Sequence, residues 1–288
     1  MRITAYITRA FCRNSQGGNL AGVVILDRAT PTSHMQKIAG FLNFSETIFL
    51  LKKSEHRYQA LYYTPTSPID FCGHASIAAF GVLHQSGFLS SSFCSLETQA
   101  GICSISVSDP FIFLQLPLPS FGSYVPEEEI AAAFGISVAS ITATDLKPQI
   151  VSTGLKDIMI PVINRNTLFE MCPDHDRISF LSEKYDVIGM HVFALDHSSA
   201  ATAYCRNFAP RYGIPEESAT GSSNGALACY LYKQNVIEEN VLIFQQGDIL
   251  NSPSDIHVRL TTQLNEIKNV VCGGEVLIEK TTTIKLET

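Results

Sequence analysis

The sequence predicts an α+β protein of two similar domains, each a β-sheet curled around one buried helix. Three observations predict it. The stretch "GHASIAAFGVL" from Gly73 is apolar nearly all round; "GSSNGALACYLY" from Gly221 opens in the same way; and the segments ahead of each follow the same order. A helix apolar on every side must be surrounded by protein. A fixed order of elements with matching punctuation is the mark of an internal duplication.

The first half opens on "MRITAYITRAFC", which alternates as a strand does, and continues into strand-like "GGNLAGVVIL". A helix is expected from Thr30 and Pro31, a favourable cap and first-turn pair. Strand-like "SETIFLLK" and "YQALYYTP" precede the first apolar helix, which has a good stop residue in Gly87. The second half repeats this with "STGLKDIMIPVI", a mostly helical stretch around "RISFLSEKY", strand-like "GMHVFALD" and "AYCRNFAP", and an apolar helix stopped at Asn235. Tyr63, Thr64 and Pro65 answer to Phe208, Ala209 and Pro210, and Gly73 and His74 to Gly221 and Ser222. Between the halves, Pro117, Pro119, Gly122 and Pro126 cluster before an acid-rich helical turn at Glu127, Glu128 and Glu129. The domains are therefore placed at 1–119 and 148–275, with 120–147 as a linker carrying a short helix. The strand-like run after Gly274 can return to either sheet, and 276–288 is assigned as able to join the first domain.

Composition narrows the function. A chain of 288 residues with 45% hydrophobic and 16% charged residues is ordinary globular material, able to bury a real core. A net charge of -7 with no basic run gives no footprint for a polyanion, so nucleic acid is excluded as a partner. No signal-peptide core and no apolar run of membrane-spanning length is present, which predicts a cytoplasmic protein without a membrane partner. The eight cysteines form no CxxC pair, which predicts reduced thiols and no metal site.

The chemistry concentrates where the two apolar helices begin. Gly-His-Ala-Ser (Gly73 to Ser76) and Gly-Ser-Ser-Asn (Gly221 to Asn224) place small side chains around unpaired backbone N–H groups and a partial positive charge. Such an end attracts an anion. The GxxxxGK[ST] phosphate loop is absent, so the expected guest is a small carboxylate-bearing molecule rather than a nucleotide. Two such mouths would line one cleft if the domains face each other. Glycines and hydroxyls also cap buried helices that bind nothing; the pairing of two similar mouths favours a site. His74 beside a helix N-terminus is expected to be neutral, able to donate or accept. Glu46, at the edge of a core strand, is expected to have its pKa raised by partial burial.

Taken together, "GGNLAGVVIL", "SETIFL", "FCGHASIAAFGVL", "STGLKDIMIPV", "RNFAPRYGIPEESATGSSNGALACYL", "QGDILNSPSDIHVRL" and "VCGGEVLIEK", in this order and over nearly the whole chain, resemble the PhzF (phenazine biosynthesis) family. The resemblance implies two domains, each a barrel-like, mainly antiparallel sheet around a central helix, related to diaminopimelate epimerase. It also implies a homodimer and a cofactor-free isomerisation of the kind performed on trans-2,3-dihydro-3-hydroxyanthranilate, with no metal. Carried over residue by residue, the catalytic glutamate falls on Glu46, the cleft histidine on His74 and the second acid on Glu217. Gly73, Ser76, Gly221 and Ser222 fall to substrate binding. Glu217 stands where aspartate is usual, and Ser218 replaces a proline that stiffens the turn.

The expected function is thus a cofactor-independent isomerase moving a proton between carbons of a small carboxylate. The alternatives are a carboxylate-binding protein without turnover and an amino-acid epimerase of the same fold. A two-thiol racemase is disfavoured, because Cys72 near the first mouth has no cysteine counterpart in "SATGSSNG".

Overall fold

The computed structural model describes residues 2–196 and 200–285. The chain forms two compact units, one of Met1–Gln115 with Gly273–Thr288, the other of Leu116–Cys272.

Unit 1 runs β1 (Arg2–Cys12), β2 (Asn19–Leu26), α1 (Thr32–Leu42), β3 (Thr47–Lys52), β4 (Arg57–Tyr63), β5 (Pro68–Ile69), α2 (Gly73–Gln85), β6 (Phe93–Thr98), β7 (Gly101–Ser108) and β8 (Phe111–Leu116). β1 and β2 pair antiparallel, β2 and β3 parallel with Gly22 opposite Thr47, and β3 and β4 antiparallel. β4 then pairs parallel with β6, and β6, β7 and β8 follow as antiparallel neighbours. α1 starts later than Thr30 and Pro31 suggest: Pro31 is its cap, without a side-chain bond, because proline presets the backbone but offers no acceptor. Every residue of α2 from His74 to Leu83 is buried. Its stop is as expected, with Gly87 left-handed at φ 70° and Phe88 N–H donating to Leu83 O at 2.9 Å.

Unit 2 continues with β9 (Ser120–Tyr124), α3 (Glu127–Phe134), α4 (Ala139–Thr142), β10 (Gln149–Ser152), β11 (Lys156–Pro161), α5 (Arg165–Glu170), α6 (His175–Lys184), β12 (Gly189–Leu195), β13 (Ala203–Ala209), β14 (Ile214–Glu217), α7 (Gly221–Lys233), β15 (Val241–Gln246) and β16 (Ser254–Gln263); β17 (Glu266–Lys285) starts in unit 2 and passes into unit 1 at Gly273. β10 and β11 pair antiparallel, β11 and β12 parallel, β12 and β13 antiparallel, β13 and β15 parallel, β15 and β16 antiparallel. α7, like α2, is thirteen residues long, buried from Ser223 to Leu231, and ended by a left-handed residue, Asn235 at φ 55°. Where the sequence predicts a linker over 120–147, the chain instead builds β9, α3 and α4 as part of unit 2. Ile130, Ala133, Phe134 and Ile141 pack there with Ile158, Leu168 and Phe208. The proline cluster reads as a linker because its apolar partners lie far away in the chain.

β17 closes unit 1. From Glu275 to Lys285 it runs antiparallel to β1, with Arg2 opposite Lys285, and it also pairs with β8. The ring β1–β2–β3–β4–β6–β7–β8–β17 thereby returns on itself around α2. Where α2 meets β17 only a glycine fits, since a Cβ on Gly81 would overlap the Val276 side chain. The architecture is mixed α+β with a closed sheet barrel. Among the described residues, no helix is long and apolar enough to cross a membrane.

Candidate active site

β2, β3 and α2 deliver the first group of side chains. Glu46 immediately precedes β3, and its carbonyl accepts from Gly22 N–H at 3.0 Å, which extends the parallel ladder and fixes where the side chain emerges. Cys72 caps α2 in an extended conformation without a side-chain cap bond. His74 follows in the first turn. Its Nε2 lies 3.2 Å from Glu46 Oε2, and its Nδ1 lies 3.4 Å from both Cys72 Sγ and Asn19 Nδ2. His74 and Cys72 are buried, and Glu46 keeps a small exposed fraction.

The electrostatics correct two expectations. Burial alone would raise the Glu46 carboxyl, but His74 and a bond from Ser45 outweigh it and hold the group below its usual range. Burial would likewise lower the His74 imidazole, yet Cys72 and Glu46 beside it raise it well above the usual histidine range. The pair is therefore carboxylate and imidazolium, not raised acid and neutral ring. The helix N-terminus disfavours the imidazolium, but an opposite charge at contact distance is stronger. Burial pushes the Cys72 thiol up, against the neighbouring His74 charge, which lowers it. Glu46, Cys72 and His74 offer an oxygen, a sulfur and a nitrogen all within 4.8 Å, a donor set that would suit a zinc-like ion.

Ser76 requires a further correction. It is fully buried, its hydroxyl donates to Cys72 O at 2.7 Å and meets Tyr62 OH at 2.7 Å, so it braces the helix start rather than facing a ligand. Gly73 is half-buried, with room for ordinary contact against Leu114.

The second group gathers at the start of α7. Glu217 ends β14 opposite Asn207, and the adjacent Glu216 is taken by Arg206 in a bidentate pair at 2.8 Å to each oxygen. Arg206 and Glu216 are nearly buried, which leaves Glu217 as the partly exposed acid of the two. Thr220 caps α7 without a side-chain cap bond; its hydroxyl donates to Glu217 Oε2 at 2.7 Å instead. Gly221 and Ser222 are partly exposed, and Ser222 O accepts from Thr153 Oγ1 at 2.8 Å.

Beneath this mouth lies a buried polar network that the sequence gives little reason to expect. His191 Nε2 meets Asn224 Oδ1 at 3.3 Å, and Asn207 Nδ2 reaches His191 Nδ1 at 3.2 Å, Ser223 Oγ at 3.2 Å and Asp157 Oδ2 at 3.5 Å. Ser223 Oγ also donates to Asp157 Oδ2. Burial drives the His191 imidazole down to about 4, so the ring is neutral and Nε2–H is the donor to Asn224. Burial raises Asp157, against bonds from Ser223, Gly189 and Asn207. The signal available in the sequence is polar residues inside otherwise apolar strands, "GMHVFAL" and "AYCRNFA".

The structure thus brings Glu46 and His74 together in unit 1, and Glu217, Gly221 and Ser222 to one helix mouth in unit 2. Residues 8–281 match the family model described as phenazine biosynthesis-like protein, PhzC-PhzF. An uncharacterised isomerase of Deinococcus radiodurans is 31% identical over 295 residues, covering 96% of this chain and 94% of that protein. One of Clostridium acetobutylicum is 32% identical over 287 residues, covering 95% of each. In fold, the crystal structure of a Bacillus anthracis phenazine biosynthesis protein of the PhzF family aligns with a TM-score of 0.88 at 24% identity, covering 99% of this chain and 100% of that one. The chain belongs to the phenazine biosynthesis-like, PhzC-PhzF family of isomerases.

Proposed function

We propose that the protein is a cofactor-independent isomerase that moves a proton between carbon atoms of a small carboxylate-bearing substrate. The observation that carries this reading is the ion pair of Glu46 and His74 at the start of α2. Glu46 is ionised at neutral pH and can take a proton from carbon; His74, charged beside it, can donate to a developing negative charge on the substrate. The N-terminal end of α2, with its partial positive charge, suits the substrate's carboxylate. Glu217 shares in the reaction as a second acid–base or orienting group. The matched succession of strand pairings in the two units supports their reading as a repeated module, with one helix mouth each.

The substrate class to try first is a cyclic amino-carboxylate of the trans-2,3-dihydro-3-hydroxyanthranilate type. The test is proton NMR in D2O with that compound and a panel of related cyclic and amino-acid carboxylates. The wild type should replace or move a carbon-bound proton, and Glu46→Gln should slow this on the order of a hundredfold or more while still binding. Equal exchange by both proteins would reject Glu46 as the base; no exchange with intact binding would favour a carboxylate-binding protein.

Epimerisation of an amino acid is the second reading, favoured by Cys72 Sγ at 3.4 Å from His74 Nδ1, which puts a further proton-carrying group at the same mouth. Retained configuration at the exchanging carbon would exclude it.

A further inference from the structure

Gln246, the last residue of β15, is fully buried and uses both ends of its amide on one turn of chain. Its Nε2 donates to Glu217 O at 2.8 Å and to Thr220 Oγ1 at 3.2 Å. Its Oε1 accepts from Thr220 N–H at 3.2 Å and from Asn224 Nδ2 at 2.9 Å. The amide's orientation follows from these partners, because reversing it would set Oε1 against a carbonyl and Nε2 against an N–H. Gly247 continues the support: it is left-handed at φ 84°, and a Cβ there would come within 2.6 Å of Ser218 O. Gln246 and Gly247 form a bed on which residues 217–220 rest.

We propose that Gln246 is a positioning residue for Glu217. Glutamate has one more rotatable bond than aspartate, and Ser218 leaves its own φ and the conformation of Glu217 before it freer than proline would. In this chain the Gln246 amide fixes the Thr220 hydroxyl, and that hydroxyl holds the Glu217 carboxylate at 2.7 Å. Asn224, which donates to Thr220 O at 2.9 Å as well as to Gln246, ties the brace to the first turn of α7 and to neutral His191. The network therefore stiffens the turn that carries Glu217.

This inference rests on the reading of Glu217 as part of the catalytic apparatus, and a kinetic cycle tests it. Gln246→Met keeps the length and removes all four bonds. It should lower kcat roughly tenfold or more through misplacement of a working group, with a smaller change in KM. In a Glu217→Gln background it should add almost nothing, since groups acting through one another are not additive. Thr220→Val should reproduce the loss and Thr220→Ser restore it, which also serves if Gln246→Met fails to fold. A Gln246→Met loss of equal size with and without Glu217, or one confined to KM, would overturn the proposal. Amide hydrogen exchange at Thr220 gives a readout independent of turnover. Faster exchange in Gln246→Met is expected even if no panel compound reacts, and unchanged exchange would remove the brace itself. Wild-type silence in D2O with an intact brace would count against the isomerase reading alone.

Discussion

At the scale of single residues, the acid–base pair sets the pH behaviour. The Glu46 carboxyl sits below its ordinary value of 4.5 and the His74 imidazole well above its ordinary 6.5. A lowered carboxyl contributes stability above pH 4.5 that is lost as pH falls through the folded value; a raised imidazole contributes stability below pH 6.5 that is lost as pH rises through the folded value. The pair's full contribution lies between those ordinary values; it declines as pH rises above 6.5 and is gone once the pH passes the folded value at which His74 gives up its proton. In kcat/KM, the acid limb should therefore lie below pH 4.5 and the alkaline limb well above 6.5. His74→Gln removes the charge that outweighs burial, so its acid limb should move to higher pH and its alkaline limb disappear. A pH–rate profile of the two proteins checks this, and an unmoved acid limb would show that His74 does not govern Glu46. The candidates Glu46 and His74 were legible in the sequence because each stands in a recognisable short motif. Their charge states were not, because the contact joins residues on two elements. Ser76 was misplaced for a related reason: a hydroxyl one turn into a helix looks available until Tyr62 is found against it.

At the scale of elements, the two apolar helices were the most legible features. Their all-round burial and their stops at Gly87 and Asn235 follow from composition and from the left-handed conformations those residues accept. Less visible was how closely α2 approaches its surroundings. Gly81 lies where any Cβ would strike Val276, so Gly81→Ala should lower the urea midpoint by an amount equivalent to about 1–2 kcal/mol, overpacking exceeding alanine's better helix propensity. In a Val276→Gly background the obstacle is gone, and the same substitution should stabilise by up to about 1 kcal/mol. A loss of equal size in both backgrounds would place the strain elsewhere. Gly225 of α7 is in similar case, with Leu116 as the neighbour that a Cβ would strike. Small residues in both helices thus mark close approach, which their own sequence leaves unsaid.

At the scale of the whole molecule, a mixed α+β chain could be read from the alternation of strand-like and helical segments, whereas the incorporation of 120–147 into unit 2 could not. Prolines and glycines predict where a chain turns, not which core the next helix joins; Ile130 and Phe134 find theirs against residues of β11, which begins only at Lys156. The return of β17 was equally open, since "EVLIEKTTTIKLE" is strand-like against either sheet. Its register with β1 pairs Arg2 with Lys285, nearly the full length of the chain apart. Contacts of such separation form late, because the closure entropy of the intervening chain must be overcome first. Pulse-labelled hydrogen exchange during refolding should therefore show β12 and β13 amides protected before those of β1; earlier protection of β1 would mean that its sheet closes without β17.

The same connectivity acts during synthesis. The ribosome makes β1 before unit 2 and its closing partner β17 after it, so β1 leaves the exit tunnel with one flank unpaired and keeps it so while unit 2 is being made. An unpaired flank is a template for any other extended chain nearby. The growing polypeptide is thus vulnerable to misassociation at β1, and emergence of β17, rather than emergence of the strands that directly follow β1, marks the moment at which that segment becomes safe.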